Sequence, residues 1–224
     1  MPLSRARPGL EALRRHIEKI ERKETVEGRA PEACALGPLR VAPGALHEIR
    51  AVDWRDAPAA HGLALAMAGK IFGASAKPAV WIGEAHAVHS TGRAYACGFP
   101  SFGVSPSEFI FVFSRNAREI LWAAEEAAGA AGVGAVLIEF SKPHRLLDLM
   151  ATRRLQLAAE NSGATPIILR RADDPTPSAA RTRWRISAAP SAADIYDRKA
   201  SGDPRWRIEL EKCRGGGRGA EQRV

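Results

Sequence analysis

Short apolar segments that alternate with helical stretches are the feature that most constrains the fold of this chain. Four segments of six or seven residues are almost wholly apolar, as expected of strands in a mostly parallel sheet. They are residues 78–83 (PAVWIG), 108–113 (EFIFVF), 134–140 (GAVLIEF) and 165–170 (TPIILR), and a shorter strand segment, 45–50, precedes them. Helical stretches between them predict an α/β fold, in which a mostly parallel sheet carries helices on both faces.

Capping residues and prolines mark where these helices begin. Asp56 precedes the first helical stretch and Pro58 lies in its first turn, a usual pattern for a helix N-terminus. The three predicted helices run from 56 to about 72, from 114 to about 131, and from 143 to 163.

The last third of the chain departs from this alternation. Residues 182–188 (TRWRISA) and 205–212 (RWRIELEK) alternate as strands do, and no helix signal lies between them, which predicts an antiparallel pair. Alternation places tryptophan and isoleucine on one face and arginine on the other. The apolar face would carry Trp184, Ile186, Trp206 and Ile208, and the opposite face Arg183, Arg185, Arg205 and Arg207.

Three domains follow from the pattern: an N-terminal amphipathic helix within 1–30, an α/β domain at 31–212, and a basic Gly/Arg tail at 213–224. The helix covers roughly 8–25, because apolar residues recur there every three or four positions among charged ones. This narrow stripe must pack on the body of the protein or on a partner, and both remain open. It consists of Leu10, Leu13, Ile17 and Ile20.

The turn after the first predicted strand argues against a nucleotide site. Proteins of this class that bind phosphate carry a glycine-rich turn whose backbone amides wrap the phosphate. Residues 51–61 (AVDWRDAPAAH) contain no glycine, carry the carboxylates Asp53 and Asp56, and lose one amide donor at Pro58. We therefore expect no ATP hydrolysis, no catalytic residue and no cofactor.

Other polar residues give only weak signals for chemistry. Glu84, His86 and His89 follow the second predicted core strand, and Cys97 lies further on, but no well-spaced fourth metal ligand accompanies them. A catalytic Glu/His pair is the alternative, and polar residues at a strand end without a catalytic role are the favoured interpretation, so no metal site is predicted. Glu139 ends the fourth predicted core strand, and the favoured role is a hydrogen bond to a neighbouring turn.

The net charge of +8 has an uneven distribution, with the basic excess at the start and in the C-terminal third. This asymmetry favours nucleic acid or an acidic protein as partner. A solvated, charged sheet edge would give the same pattern. The candidate DNA-binding residues are Arg183, Arg185, Arg205, Arg207, Lys212, Arg214 and Arg218.

Cellular location is predicted from what the sequence does not contain. The three cysteines are widely spaced, and neither a signal-peptide pattern nor an apolar stretch of membrane-spanning length occurs. These features favour the cytoplasm and no membrane association.

Several segments resemble known families. Residues 80–87 are similar to the acid-and-histidine segment after the second core strand of RecA, and 135–139 resemble its Walker B strand, with Glu139 in place of the usual Asp. A closer resemblance is to the ImuA family of RecA/SulA-related accessory proteins, over roughly residues 8–215. It rests on residues 149–160, 178–185 and 204–210, with 44–49 at the first strand.

The ImuA resemblance implies a RecA-like core in a non-hydrolysing accessory protein of the SOS response to DNA damage. Its implied role is that of an adaptor in translesion synthesis, in the cytoplasm and at the nucleoid when DNA is damaged. The implied partners are an ImuB-like inactive polymerase homologue and an error-prone replicative-type polymerase, with RecA as a further candidate. A SulA-like inhibitor of cell division, or a divergent RecA-like ATPase or DNA-binding protein, is the alternative.

The resemblance also suggests a role for the N-terminal helix. RecA protomers pack through an N-terminal helix on a neighbouring protomer, so the stripe of Leu10, Leu13, Ile17 and Ile20 is the candidate partner-binding element. Packing of this stripe on the protein's own body is the alternative.

Overall fold

A computed structural model describes residues 34–36, 39–85, 94–170, 174, 176–194, 196–197, 199–214 and 222–223, with 34–36, 39–40 and 222–223 described by their backbone alone. All of these residues belong to one unit, Ala33–Val224. The predicted N-terminal helix with Leu10, Leu13, Ile17 and Ile20 lies outside the described residues. So do His86, His89 and Arg218.

The described residues form ten strands and three α-helices. The strands are β1 Cys34–Leu36, β2 Leu39–Val41, β3 His47–Ala51, β4 Ala79–Glu84, β5 Phe109–Ser114, β6 Ala135–Glu139, β7 Thr165–Arg170, β8 Thr182–Ala189, β9 Arg205–Cys213 and β10 Gln222–Arg223. The helices are α1 Ala57–Ser75, α2 Ala117–Gly129 and α3 Leu149–Ser162.

Eight of these strands form one sheet, in the order β10-β9-β8-β3-β7-β6-β4-β5, and β1 and β2 form a separate antiparallel pair. The six strands from β8 to β5 are parallel to one another. Strand β9 is antiparallel to both β8 and β10. The mostly parallel sheet and the antiparallel C-terminal pair predicted from the sequence are therefore confirmed.

Helices cover both faces of the sheet, as predicted. Leu137 on β6 packs in the core that α1 covers, whereas its neighbour Ile138 packs in the core beneath α2 and α3. Because successive residues of a strand point to opposite faces, the two cores lie on opposite sides of the sheet. Trp184 and Trp206, on β8 and β9, lie in the α1 core.

The predicted start of the third helix is wrong. Helix α3 begins at Leu149 rather than near residue 143, because Asp148 supplies its cap and accepts a hydrogen bond from the Ala151 amide at 2.8 Å. Helix α2 likewise begins later than predicted, since the cap is Asn116 and not Ser114. Helix α1 starts where predicted and runs on to Ser75.

Two glycines allow other segments to approach α1 closely. A Cβ atom at Gly69 would lie 2.3 Å from the carbonyl oxygen of Phe102, and one at Gly62 would lie 2.8 Å from the Trp206 ring. The segment Ala96–Phe102 and the ring from β9 therefore pack directly on the helix backbone. This packing sets one wall of the site described next.

Among the described residues, no helix is both long enough and apolar enough to cross a bilayer.

Candidate functional site

The turn between β3 and α1 is closed by its own side chains. Residues Trp54–Asp56 form one turn of 3-10 helix with a reciprocal capping box. Asp53 accepts from the Arg55 amide at 3.0 Å, and Asp56 accepts from the Asp53 amide at 3.2 Å. The other oxygen of Asp56 accepts from the Ala188 amide at 2.9 Å, which ties the turn to β8.

This turn occupies the position where nucleotide-binding α/β folds present free amides to a phosphate. Here the amides of Asp53 and Arg55 already donate to carboxylates. A phosphate at this position would have to displace two negatively charged side chains, and the negative charges of these carboxylates would also repel the phosphate.

A histidine and a glutamate meet beside this turn. His61 on α1 lies with Nε2 2.8 Å from Oε1 of Glu139, at the end of β6, and with Nδ1 2.7 Å from the carbonyl oxygen of Ala57. The indole of Trp81, on β4, donates to the other oxygen of Glu139 at 3.2 Å. Both ring nitrogens of His61 thus face acceptors, an arrangement that the cationic imidazolium satisfies with two N–H donors.

The electrostatics of the pair agree with this geometry. Burial acts to lower the pKa of His61, but the hydrogen bond and charge of Glu139 and the Ala57 carbonyl outweigh it and raise the pKa. Burial acts to raise the pKa of Glu139, but His61 and the Trp81 indole outweigh it and lower that pKa. Both shifts favour an imidazolium–carboxylate ion pair. Glu139 therefore bonds to a helix and a strand, and not to a neighbouring turn as the sequence predicts.

A cavity of about 810 Å³ opens above this pair. Its walls come from the β3–α1 turn, from α1, from the strands β4, β5 and β6, and from residues 94–102. Aromatic rings form a large part of the lining. The rings include Trp54, Trp81, Tyr95, Phe99, Phe111 and Phe113, and the charged residues are Arg55, His61, Glu84 and Glu139.

The polar residues that follow β4 do not form a metal centre in the described part of the chain. Glu84 is buried and accepts from the Ser141 amide at 2.8 Å and from the Ser141 hydroxyl, which links the end of β4 to the loop after β6. Cys97 is exposed. Within the described residues no group of three or more His, Cys, Asp or Glu side chains could hold a metal ion.

Sequence reasoning missed a buried charge network on the opposite face of the sheet. The carboxylate of Glu48 accepts from Nε of Arg170 and from Nε of Arg183, both at 2.7 Å, and from the Ser178 hydroxyl at 2.8 Å. Arg170 also pairs with Asp174. The only sequence signal was a glutamate within the first predicted strand, because the partners are brought together by the order β7-β3-β8.

This network engages two of the seven candidate DNA-binding residues. Arg183 is held by Glu48, and Nζ of Lys212 donates to the carbonyl oxygen of Ser178 at 2.6 Å. Arg185 is half-buried and lies 3.8 Å from Glu209. The exposed candidates among the described residues are Arg205, Arg207 and Arg214.

Comparisons with known proteins identify similar sequences and a similar fold. No protein-family model matches the chain. Two curated relatives from two strains of Caulobacter vibrioides, each described as Protein ImuA, are 39% identical to it over 132 residues, which is 54% of this chain and 52% of theirs. The chain thus spans about half the length of the curated relatives it matches.

A solved structure has a similar fold. The crystal structure of the RadB recombinase superimposes with a TM-score of 0.54 and 14% sequence identity, covering 81% of this chain and 86% of that one. At this level of identity the similarity concerns the fold, which is RecA-like.

Proposed function

We propose that this chain, which is similar to ImuA proteins and has a RecA-like fold, is a member of the ImuA family that acts as an adaptor in translesion synthesis and not as an ATPase. In this proposal it assembles with an ImuB-like inactive polymerase homologue and an error-prone replicative-type polymerase after DNA damage. RecA is a further candidate partner, because a RecA-like body offers a surface like that of a RecA protomer.

The observation that carries the proposal is the closed β3–α1 turn. Its amides at Asp53 and Arg55 donate to carboxylates of the same turn, so these two backbone donors are not available to a phosphate. A RecA-like domain with this turn loses the phosphate site but keeps its fold and its outer surfaces. In this proposal those surfaces recognise protein partners.

Nucleotide binding tests the first half of the proposal. A nucleotide that bound the folded state would raise the free energy of unfolding by about 2.7 kcal/mol at a concentration of about 100 times its Kd. We expect urea unfolding curves with and without ATP and Mg²⁺ to coincide. A saturable increase in stability with ATP would contradict the proposal and favour a divergent ATPase.

Affinity capture tests the second half. We expect the tagged protein, recovered from DNA-damaged cells of the source organism, to bring down the ImuB-like protein or the polymerase, as identified by mass spectrometry. Recovery of cell-division proteins alone would instead favour a SulA-like inhibitor. An eluate without any of these proteins would contradict the adaptor function.

The predicted N-terminal helix is the candidate docking element, although it lies outside the described residues. A double substitution, Leu13→Asp and Ile17→Asp, should abolish partner capture and leave the melting temperature nearly unchanged, because it places charges on a stripe that only a partner would cover. A large loss of stability would assign the stripe to the protein's own core.

Direct DNA contact is a second candidate function, supported by the exposed arginines of β9. Arg205 and Arg207 are exposed on the polar face of this strand, where guanidinium groups can reach phosphates. The affinity for DNA should then fall steeply with salt, and Arg205→Ala should reduce the slope of log K against log salt by about 1. Lys77→Ala is the matched control, because Lys77 lies just before β4, a strand that is far from β9 in the sheet. Affinity that does not respond to salt would contradict DNA contact.

A further inference from the structure

The cavity beside the β3–α1 turn is lined by a continuous row of aromatic rings. Trp81 stacks between His61 at 5.8 Å and Phe111 at 6.1 Å, and Phe111 stacks on Phe113 at 6.3 Å, measured between ring centroids. Parallel pairing of β4 and β5 produces this row, because Trp81 lies directly opposite Phe111 in the register. A row of rings packs favourably against another aromatic ring, in an offset-stacked or an edge-to-face arrangement.

The polar groups along this row of rings are already engaged with each other. Both oxygens of Glu139 accept hydrogen bonds, and both nitrogens of His61 lie against acceptors. The opposite charges that this geometry favours for the pair also offset each other. The row of rings therefore offers a ligand apolar ring surface and few free donors or acceptors, which matches an apolar aromatic group better than a sugar or a charged metabolite.

Charge separates the two common sources of flat rings, nucleobases and aromatic side chains. Every base in a nucleic-acid strand brings a phosphate, and the turn that forms one wall carries the carboxylates of Asp53 and Asp56. The exposed arginines of β9 lie towards the other end of the sheet from β5. A phosphate backbone thus finds no complementary charge at the cavity in the described part of the chain beyond Arg55, which pairs with Asp53 at 3.8 Å.

The cavity also continues onto an exposed surface from which a protein side chain can enter. Trp54 at its rim is 64% exposed, and Tyr95 is also exposed. Phe111 and Phe113 extend the row of rings to β5, the outermost strand at this end of the sheet. Exposed aromatic residues that surround a concave site are typical of protein recognition sites.

We propose that this cavity binds an aromatic side chain, tryptophan, tyrosine or phenylalanine, presented by a protein partner. This inference deepens the proposed adaptor function, on which it rests, by naming the chemistry of the anchor residue that the partner inserts. The anchor packs against the row of rings that includes Trp81 and Phe111, and Trp54 covers it from the rim.

A peptide titration tests the proposal directly. The full chain is labelled with 5-fluorotryptophan and titrated with acetyl-Gly-Trp-Gly-amide, while fluorine NMR follows each tryptophan. The resonances of Trp54 and Trp81 should shift and saturate with a Kd on the order of 1 mM, as expected of a small fragment, and that of Trp122 should not move. The peptide acetyl-Gly-Ala-Gly-amide should cause no saturable shift.

Two substitutions and a matched control locate the binding site. Trp54→Ala removes one ring face and should weaken the peptide about fivefold. Gly98→Phe fills the cavity, and its Cβ has room because the nearest atom would be a Tyr95 ring carbon at 3.9 Å. Trp122→Ala is the control, because Trp122 is 65% exposed, like Trp54, but lies on α2 away from the cavity.

Three results would overturn the inference: no saturable shift of the Trp81 resonance, equal affinities in the Trp54→Ala and Trp122→Ala variants, or tighter binding of adenosine or oligothymidylate than of the tryptophan peptide. The last result would identify a nucleobase site. Because the titration requires no partner protein, a negative titration with successful capture of the polymerase refutes only the cavity proposal. A positive titration with an eluate empty of partners refutes only the adaptor function.

Discussion

Acidification should destabilise this protein by about 3 kcal/mol through one buried residue, His47 on β3. The imidazole is fully buried and stacks on Trp184 with 5.2 Å between ring centroids. Its Nε2 lies 2.9 Å from the carbonyl oxygen of Ala42, and its Nδ1 lies 2.7 Å from the Thr182 hydroxyl. The neutral ring satisfies both contacts, because Nε2–H donates to the carbonyl and Nδ1 accepts from the hydroxyl.

The magnitude follows from the pKa of this group. Burial lowers the pKa of His47 from 6.5 to about 4, the carbonyl of Ala42 opposes the shift, and the charge of Arg181 adds to it. Between these two values the unfolded chain binds a proton that the folded protein excludes, so the free energy of unfolding falls as the pH falls through this window. A shift of this size corresponds to about 3 kcal/mol, lost progressively below pH 6.5 and complete near pH 4.

Urea unfolding at a series of pH values measures this effect. Other groups titrate equally in the wild type and in His47→Gln, so the difference between their free energies of unfolding isolates His47. We expect this difference to favour the wild type most at neutral pH and to shrink by about 3 kcal/mol on acidification to pH 4. A difference that does not vary with pH, or an imidazole that titrates near 6.5 by NMR, would refute the reasoning.

Two other substitutions test the packing of α1 and the ion pair in the cavity. Gly69→Ala should lower the free energy of unfolding by about 2 kcal/mol, because the new Cβ would collide with the Phe102 carbonyl oxygen. Gly73→Ala on the same helix meets open space and should raise the free energy of unfolding by about 0.5 kcal/mol. Equal effects of the two substitutions in urea unfolding would contradict the packing. Glu139→Gln should cost most stability between pH 4.5 and 6.5. The raised pKa of His61 contributes stability that is lost as the pH rises above this window, and the lowered pKa of Glu139 contributes stability that is lost as the pH falls below it. A loss of stability in Glu139→Gln that grows steadily towards alkaline pH would exclude the pair.

The elements of the fold were predictable because their signals are local. Burial on both faces makes β4, β6 and β7 mostly apolar. One-sided burial makes β8 and β9 alternate, with Trp184 and Trp206 in the core as predicted. The start of α3 was not predictable in the same way. Two helix starts fit the sequence, one with Pro143 in the first turn and one with Asp148 as the cap. In the structure α3 begins after the Asp148 cap.

The candidate site was predictable only in part. The lack of glycine and the presence of Asp53 and Asp56 in the β3–α1 turn are visible in the sequence, and they predict that the turn does not suit phosphate. The engagement of its amides by those two carboxylates is a matter of geometry. No sequence signal predicts that the aromatic residues of α1, β4 and β5 and their surroundings enclose one cavity.

The sequence by itself thus determined the alternation of strands and helices, the antiparallel C-terminal pair and the absence of a phosphate loop, because each depends on neighbours within a few residues. Only the tertiary structure decided which charges meet. His61 and Glu139 are 78 positions apart, and Glu48 and Arg170 are 122 apart. The order of strands in the sheet places these groups together, and their removal from water strengthens the hydrogen bonds and charge interactions between them.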